Sequence, residues 1–67
     1  MAIQHLDAAE TAVYLTALVG RPISVPYVRV LAHRNQWRRV WWGRRMHYHL
    51  GDIDATGDAM STAQMSG

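Results

Sequence analysis

The segment Gly20-Arg21-Pro22-Ile23-Ser24-Val25-Pro26 constrains this chain more than any other stretch, because both of its prolines lie there. A helix arriving at Gly20 meets a residue suited to the left-handed closing position, and Pro22 just beyond blocks its continuation. Ser24 is a strong N-cap. Pro26 then falls in the first turn of a new helix, where its missing N–H costs nothing. Seven residues therefore specify two helices joined by a short turn.

The spacing predicts the first helix over residues 6–19. Asp7 serves as its N-cap, and Glu10 three residues on completes a capping box. Ala9, Ala12, Val13 and Leu15 or Thr16 follow a 3.6-residue period and form its expected inner face. In the second helix Val28, Leu31, Ala32 and Asn35 share one side, at about 100° per residue. Pro26, Arg29, His33 and Gln36 share the opposite side, with Tyr27 and Arg34 on a flank. Asn35 is the expected left-handed closing residue.

From Val40 to His49 the pattern changes to alternation around Gly43. Gly43 followed by Arg44 suits the tip of a short hairpin, and aromatic and β-branched neighbours favour strands. Val40, Trp42, Met46 and Tyr48, with Trp37, are expected to anchor this hairpin to the core, and Trp41 to face away from Trp42. Leu50 to Ala55 should add a helical turn or two. The small, polar stretch from Thr56 onward is expected to be flexible. The fold class read from this order is mainly α with a small β-hairpin, in the sequence helix, turn, helix, hairpin wing, short helix. That is the outline of a winged helix-turn-helix over residues 1–55, followed by a flexible tail over 56–67.

Composition narrows the setting. A chain of 67 residues buries only about 60% of its unfolded surface, so its stability is modest without outside help. It has no cysteine, which excludes disulfides and thiolate metal sites and suits a reducing compartment. Its longest apolar-leaning run, AAETAVYLTALVG, is far short of the roughly 20 apolar residues of a membrane span. MAIQHLD lacks the basic start and apolar middle of a signal peptide. A soluble, cytoplasmic protein is expected.

The formal charge of +2 conceals a segregation. The basic residues are all arginine, at positions 21, 29, 34, 38, 39, 44 and 45, while Asp7, Glu10, Asp52, Asp54 and Asp58 lie outside that interval. Such a basic run favours a polyanion such as nucleic acid over an ordinary solvated face, which mixes signs. The second helix also reads as a core helix with a wet back. Its capped N-terminus, its Arg29 and His33 one turn apart, and its passage into the basic hairpin weigh for contact with DNA. Arg29 is the expected base-reading residue, since a guanidinium can bind the guanine edge in the major groove. Ser24, Pro26, Tyr27, His33 and Arg34 accompany it. Arg38 and Arg39 flank the wing as phosphate contacts, as does Arg34 on the helix. Arg44 and Arg45 at the tip suit a minor groove, whose negative potential attracts arginine. The alternative for the tip is a solvated turn.

The remaining motifs favour blander readings. The tryptophans could stack on unpaired bases, but a chain without phenylalanine needs them for its core. His47 and His49 could bind a metal with His5 or His33, yet no cysteine or clear carboxylate completes such a site, and no metal or cofactor is expected. The acids stand at helix ends rather than clustered for catalysis, so no enzyme is expected.

With these residues in place, the chain resembles the small phage excisionases, within the excisionase-like branch of the MerR-type winged helix-turn-helix family. L-D-A-A-E-T-A at 6–12 is similar to the family's opening of the first helix. S-V-P-Y-V-R-V-L-A-H-R-N at 24–35 is similar to its recognition helix, with Asn35 where glycine is frequent. V-W-W-G-R-R-M-H-Y at 40–48 with G-D-I-D-A at 51–55 is similar to its wing and closing segment. The match spans about residues 6–55 and departs from the family in one place, where T-A-L-V-G-R-P-I enlarges the short turn and implies a longer first helix or a wider turn. The long dimerising helix and effector domain of the MerR regulators have no counterpart here. The resemblance implies a recombination directionality factor in a bacterial host. Such a protein binds and bends double-stranded DNA beside an attachment site, assembles cooperatively on adjacent sites, and helps a phage integrase excise. The same outline also fits a small transcriptional regulator, and an interaction module for an acidic protein is the reading from another class.

Overall fold

The computed structural model describes residues 4–65, with side chains through Thr62. Among them the chain runs β1 (His5–Asp7), α1 (Ala8–Val19), α2 (Val25–Arg34), β2 (Arg39–Trp42), β3 (Arg45–His49) and α3 (Leu50–Met65). The described residues are thus mainly helical, with three helices and a three-stranded antiparallel sheet in the order β1-β3-β2. The expected order of helix, turn, helix, hairpin and helix is present, and β1 is added to it.

The caps of α1 form as the sequence predicts. The Glu10 N–H donates to Asp7 Oδ1 at 2.8 Å and the Asp7 N–H donates to Glu10 Oε1 at 3.0 Å. Gly20 closes the helix at φ 83°, donating its N–H to the Thr16 carbonyl at 3.0 Å. The helix nevertheless starts at Ala8 rather than at residue 6. Leu6 and Asp7 are extended and pair with Tyr48 and His47 of β3, so Leu6 enters the core from a strand. The inner face is also rotated from its expected position. Thr11, Ala12, Leu15 and Val19 are buried, whereas Ala9 is exposed and Val13 is 73% exposed. Thr11 was missed because threonine is usually a surface residue. Here its hydroxyl donates to the Asp7 carbonyl at 2.6 Å, which removes the cost of burying it.

The connection between α1, which ends at Val19, and α2, which starts at Val25, is a turn pinned at its centre. Ile23 is buried, and its N–H donates to Thr16 Oγ1 at 3.0 Å, while that hydroxyl donates to the Ala12 carbonyl at 2.7 Å. In α2 the residues Val28, Leu31 and Ala32 are buried as expected, and Asn35 is not. Asn35 does not take the left-handed position either. Its φ is −97°, its side-chain amide donates to the Leu31 carbonyl, and Gln36 carries the positive φ of 52°. That turn lets the Trp37 N–H reach the Ala32 carbonyl at 3.0 Å and sends the indole into the core.

The core comprises Leu6, Ala12, Leu15, Ile23, Val28, Leu31, Ala32, Trp37, Tyr48 and Ile53. Trp37 and Tyr48 meet edge to face with centroids 5.5 Å apart, a favoured aromatic geometry. The expected short closing helix is corrected by α3, which continues from Leu50 to Met65 into the stretch read as a tail; residues 66 and 67 lie outside the described part. Local propensity is weak there, but tertiary contacts supply what it lacks. Ile53 is fully buried, and the Trp37 Nε1–H donates to Thr56 Oγ1 at 2.8 Å. Gly57 lets α3 approach α1 closely, since a Cβ at that position would lie 3.2 Å from Leu15 Cδ2 and closer still to Leu18.

Candidate nucleic-acid interface

The hairpin's geometry follows from its two-residue loop, Gly43-Arg44. Gly43 has φ 61°, which glycine adopts without strain. Trp42 then sits opposite Arg45, Trp41 opposite Met46, Val40 opposite His47 and Arg39 opposite Tyr48. Facing residues of paired strands project to the same side. Odd positions on β2 therefore share a face with even positions on β3. This corrects the expected anchor set: Val40 and Trp42 lie on the sheet face opposite Met46 and Tyr48, and Trp42 is 54% exposed. Trp41, expected on the far side, shares the face of Met46, Tyr48 and Leu6.

That face, the start of α1 and one flank of α2 enclose a concavity of about 410 Å³, lined by Asp7, Ala8, Ala9, Val25, Arg29, Trp41, Arg44, Arg45, Met46 and Tyr48. It gathers Arg29 of the second helix with Arg44 and Arg45 of the hairpin, three of the residues singled out from sequence. Helical phase sorts the others. Val25, Arg29 and His33 follow at intervals of four along the flank nearest the hairpin, and Pro26 and Val30 are exposed beside them. Tyr27 and Arg34 lie on the other flank, Tyr27 half-buried against the core and Arg34 exposed. These two are not brought to the concavity. Arg39 and Arg21 are exposed, Arg39 at the start of β2 and Arg21 in the turn between α1 and α2.

The α2 N-terminus is less open than its sequence suggests. Ser24 Oγ accepts the Tyr27 N–H at 3.2 Å, the Ser24 carbonyl accepts the Val28 N–H at 3.0 Å, and Pro26 has no N–H. Among the described residues this leaves the Val25 N–H as the first-turn donor without a hydrogen bond. Anion binding there rests on one amide rather than on several.

Folding also returns two acids to the basic segment. Asp7 receives Arg45 Nη1 at 3.2 Å, and Asp52 receives Arg38 Nη2 at 3.1 Å. Asp52 accepts the Arg38 backbone N–H as well, at 2.7 Å. The Glu10 N–H, helped by the Arg45 guanidinium, holds the Asp7 carboxyl below the usual carboxylate range. The Arg38 guanidinium and then its N–H do the same for Asp52. Arg38 and Arg45, read from sequence as DNA contacts, thus each hold an intramolecular carboxylate. Arg21, Arg29, Arg34, Arg39 and Arg44 form no ion pair among the described residues.

The histidines gather on the opposite sheet face. His5 lies edge to face with His49, with centroids 5.1 Å apart, and Trp42 contacts both His5 and His47. His33 stands apart on α2. The ligand atoms of Asp7, Glu10 and His47 lie within 4.8 Å of one another. Their existing hydrogen bonds serve other purposes. Both Asp7 oxygens and Glu10 Oε1 are engaged by the cap and by Arg45, and His47 Nδ1 lies 3.1 Å from the Arg45 carbonyl.

Sequence reasoning missed Trp41 and the start of α1 as parts of the concavity. The signal was present in the loop length, because a two-residue loop pairs odd positions with even ones. No helix among the described residues is long and apolar enough to cross a membrane. Comparison with protein-family models, with curated proteins and with solved structures finds no match to the chain.

Proposed function

We propose that the chain is a winged helix-turn-helix DNA-binding protein, with α1 and α2 as the helix-turn-helix and the β2–β3 hairpin as the wing. The observation that carries this reading is the convergence of Arg29 from α2 and Arg44 from the hairpin tip on one concavity, with the Asp7 carboxylate there already held by Arg45. Exposed arginines outside the concavity add sequence-independent attraction to phosphate. Arg29 reads a base edge from the α2 flank, and Arg44 enters the adjacent groove.

Within that reading the protein acts as a DNA-bending accessory factor that helps a phage integrase excise, as the resemblance implies. A module of this size covers little DNA, so specific binding draws on neighbours bound to adjacent sites. Duplex binding measured against salt tests the first step. With five phosphates neutralised, log K against log salt falls with a slope of about −4.5. A flat response would reject DNA as the partner and favour an acidic protein. Reconstituted recombination with the integrase tests the second step. Unchanged excision alongside tight duplex binding would leave a transcriptional regulator of the same fold.

A further inference from the structure

We propose that Trp41 is the apolar nucleic-acid contact of this site and that Trp42, its neighbour, takes no part in binding. The proposal rests on the DNA-binding reading and deepens it. Trp41 is 63% exposed, an unusual condition for the largest apolar side chain in a small domain. It lines the same concavity as Arg29 and Arg44. Its cross-strand partner Met46 supports it from beside the core, on the face that carries buried Tyr48. An indole that shares a concavity with two guanidinium groups suits a polyanion with apolar faces between its charges. Duplex DNA has that composition, with sugars, thymine methyls and base-pair steps lying between phosphates. An acidic peptide offers charge without such regular apolar faces. Trp42 is nearly as exposed, but it projects to the other side of the sheet and is engaged by His5 and His47.

The two tryptophans are adjacent in sequence and opposite in orientation, so each is the control for the other. Trp37 is buried and supplies a constant fluorescence background. Duplex DNA titrated into the Trp42→Phe variant of the 67-residue chain should quench or shift its emission as in the parent protein. The Trp41→Phe variant should bind, by anisotropy of a labelled duplex, with little change in its own emission. Trp41→Ala should weaken duplex binding about tenfold, the effect of losing a partly buried apolar contact. It should do so equally at every salt concentration, because an apolar contact releases no counterion. Arg44→Ala should instead make the salt slope shallower by about one.

An emission change that follows Trp42, or wild-type affinity in Trp41→Ala, would overturn the proposal. So would a larger loss on single-stranded than on duplex oligonucleotide, which would point to stacking on unpaired bases. If the parent protein fails to bind duplex even at low salt, the DNA-binding reading falls and takes this inference with it. That outcome is distinct from binding that ignores Trp41. Thermal unfolding of Trp41→Ala should match the parent, since the side chain is exposed, and the folded Trp41→Phe variant keeps the fluorescence test independent of that result.

Discussion

Between α1 and α3 the side chains close on one another, while between α2 and the hairpin they stand apart. Gly57 on α3 admits Leu15 and Leu18, Ile53 is fully buried, and the Tyr14 hydroxyl donates to Asp54. Across the molecule, the α2 flank and the hairpin leave Arg29, Arg44 and an indole facing an open concavity. The first region spends its apolar residues on stability. The second leaves a charged and aromatic surface open to solvent. Trp37 and Trp41 make the contrast within one residue type, because Trp37 has a hydrogen-bond partner in Thr56 and a ring partner in Tyr48, and Trp41 is largely exposed.

Substitutions on the two sides should therefore separate cleanly. Ile53→Ala should cost about 2–5 kcal/mol of stability, read by urea denaturation; a loss of under 1 kcal/mol would mean α3 contributes little to the fold. Thr56→Val keeps the volume but leaves the Trp37 indole N–H buried without an acceptor, for a cost of about 1–3 kcal/mol. A neutral result would show that the indole finds another partner. On the open side, Arg29→Ala should leave thermal stability within about 0.5 kcal/mol. It should weaken specific duplex binding by about 1–3 kcal/mol and relax preference at one base pair. Equal losses on all sequences would assign Arg29 to phosphate instead.

The smallest effect is expected from the two ion pairs that tie the regions together. The Asp7 and Asp52 carboxyls titrate below their ordinary value of 3.8 in the folded protein. As pH falls, the unfolded chain takes up these protons first. Their contribution is thus fully present above the ordinary value and lost as pH drops through the lower folded values. The double variant Asp7→Asn, Asp52→Asn should be slightly less stable than the parent at neutral pH and converge with it in acid. Parallel pH profiles would show that the pairs are energetically silent, as many exposed pairs are.

Much of the fold was legible because it depends on neighbours in sequence. The capping box of Asp7 and Glu10, the left-handed Gly20, the Ser24 cap with Pro26 behind it, and the turn at Gly43 are all interactions within a few residues. The candidate site was legible only in part. Arg29 and Arg44 could be named, but the readings of Arg38 and Arg45 left out the carboxylates that the fold returns to them across 14 and 38 residues. The closed first turn of α2 was likewise hidden in the choice of which N–H groups its own cap uses.

The sequence by itself determined the caps at Asp7 and Ser24, the close of α1 at Gly20, where the hairpin turns, and that positive charge gathers between Arg21 and Arg45. Those features follow from backbone preference and covalent order. Only the tertiary structure decided that Leu6 enters from a strand, that α1 buries Thr11 and exposes Val13, and that α3 runs on to Met65. It also decided which tryptophan faces the concavity. Alternation states that Trp41 and Trp42 point to opposite sides, but not which side holds the core. That choice is made by strand register, because Tyr48 must reach Trp37 and Leu6, and its side of the sheet carries Trp41 with it.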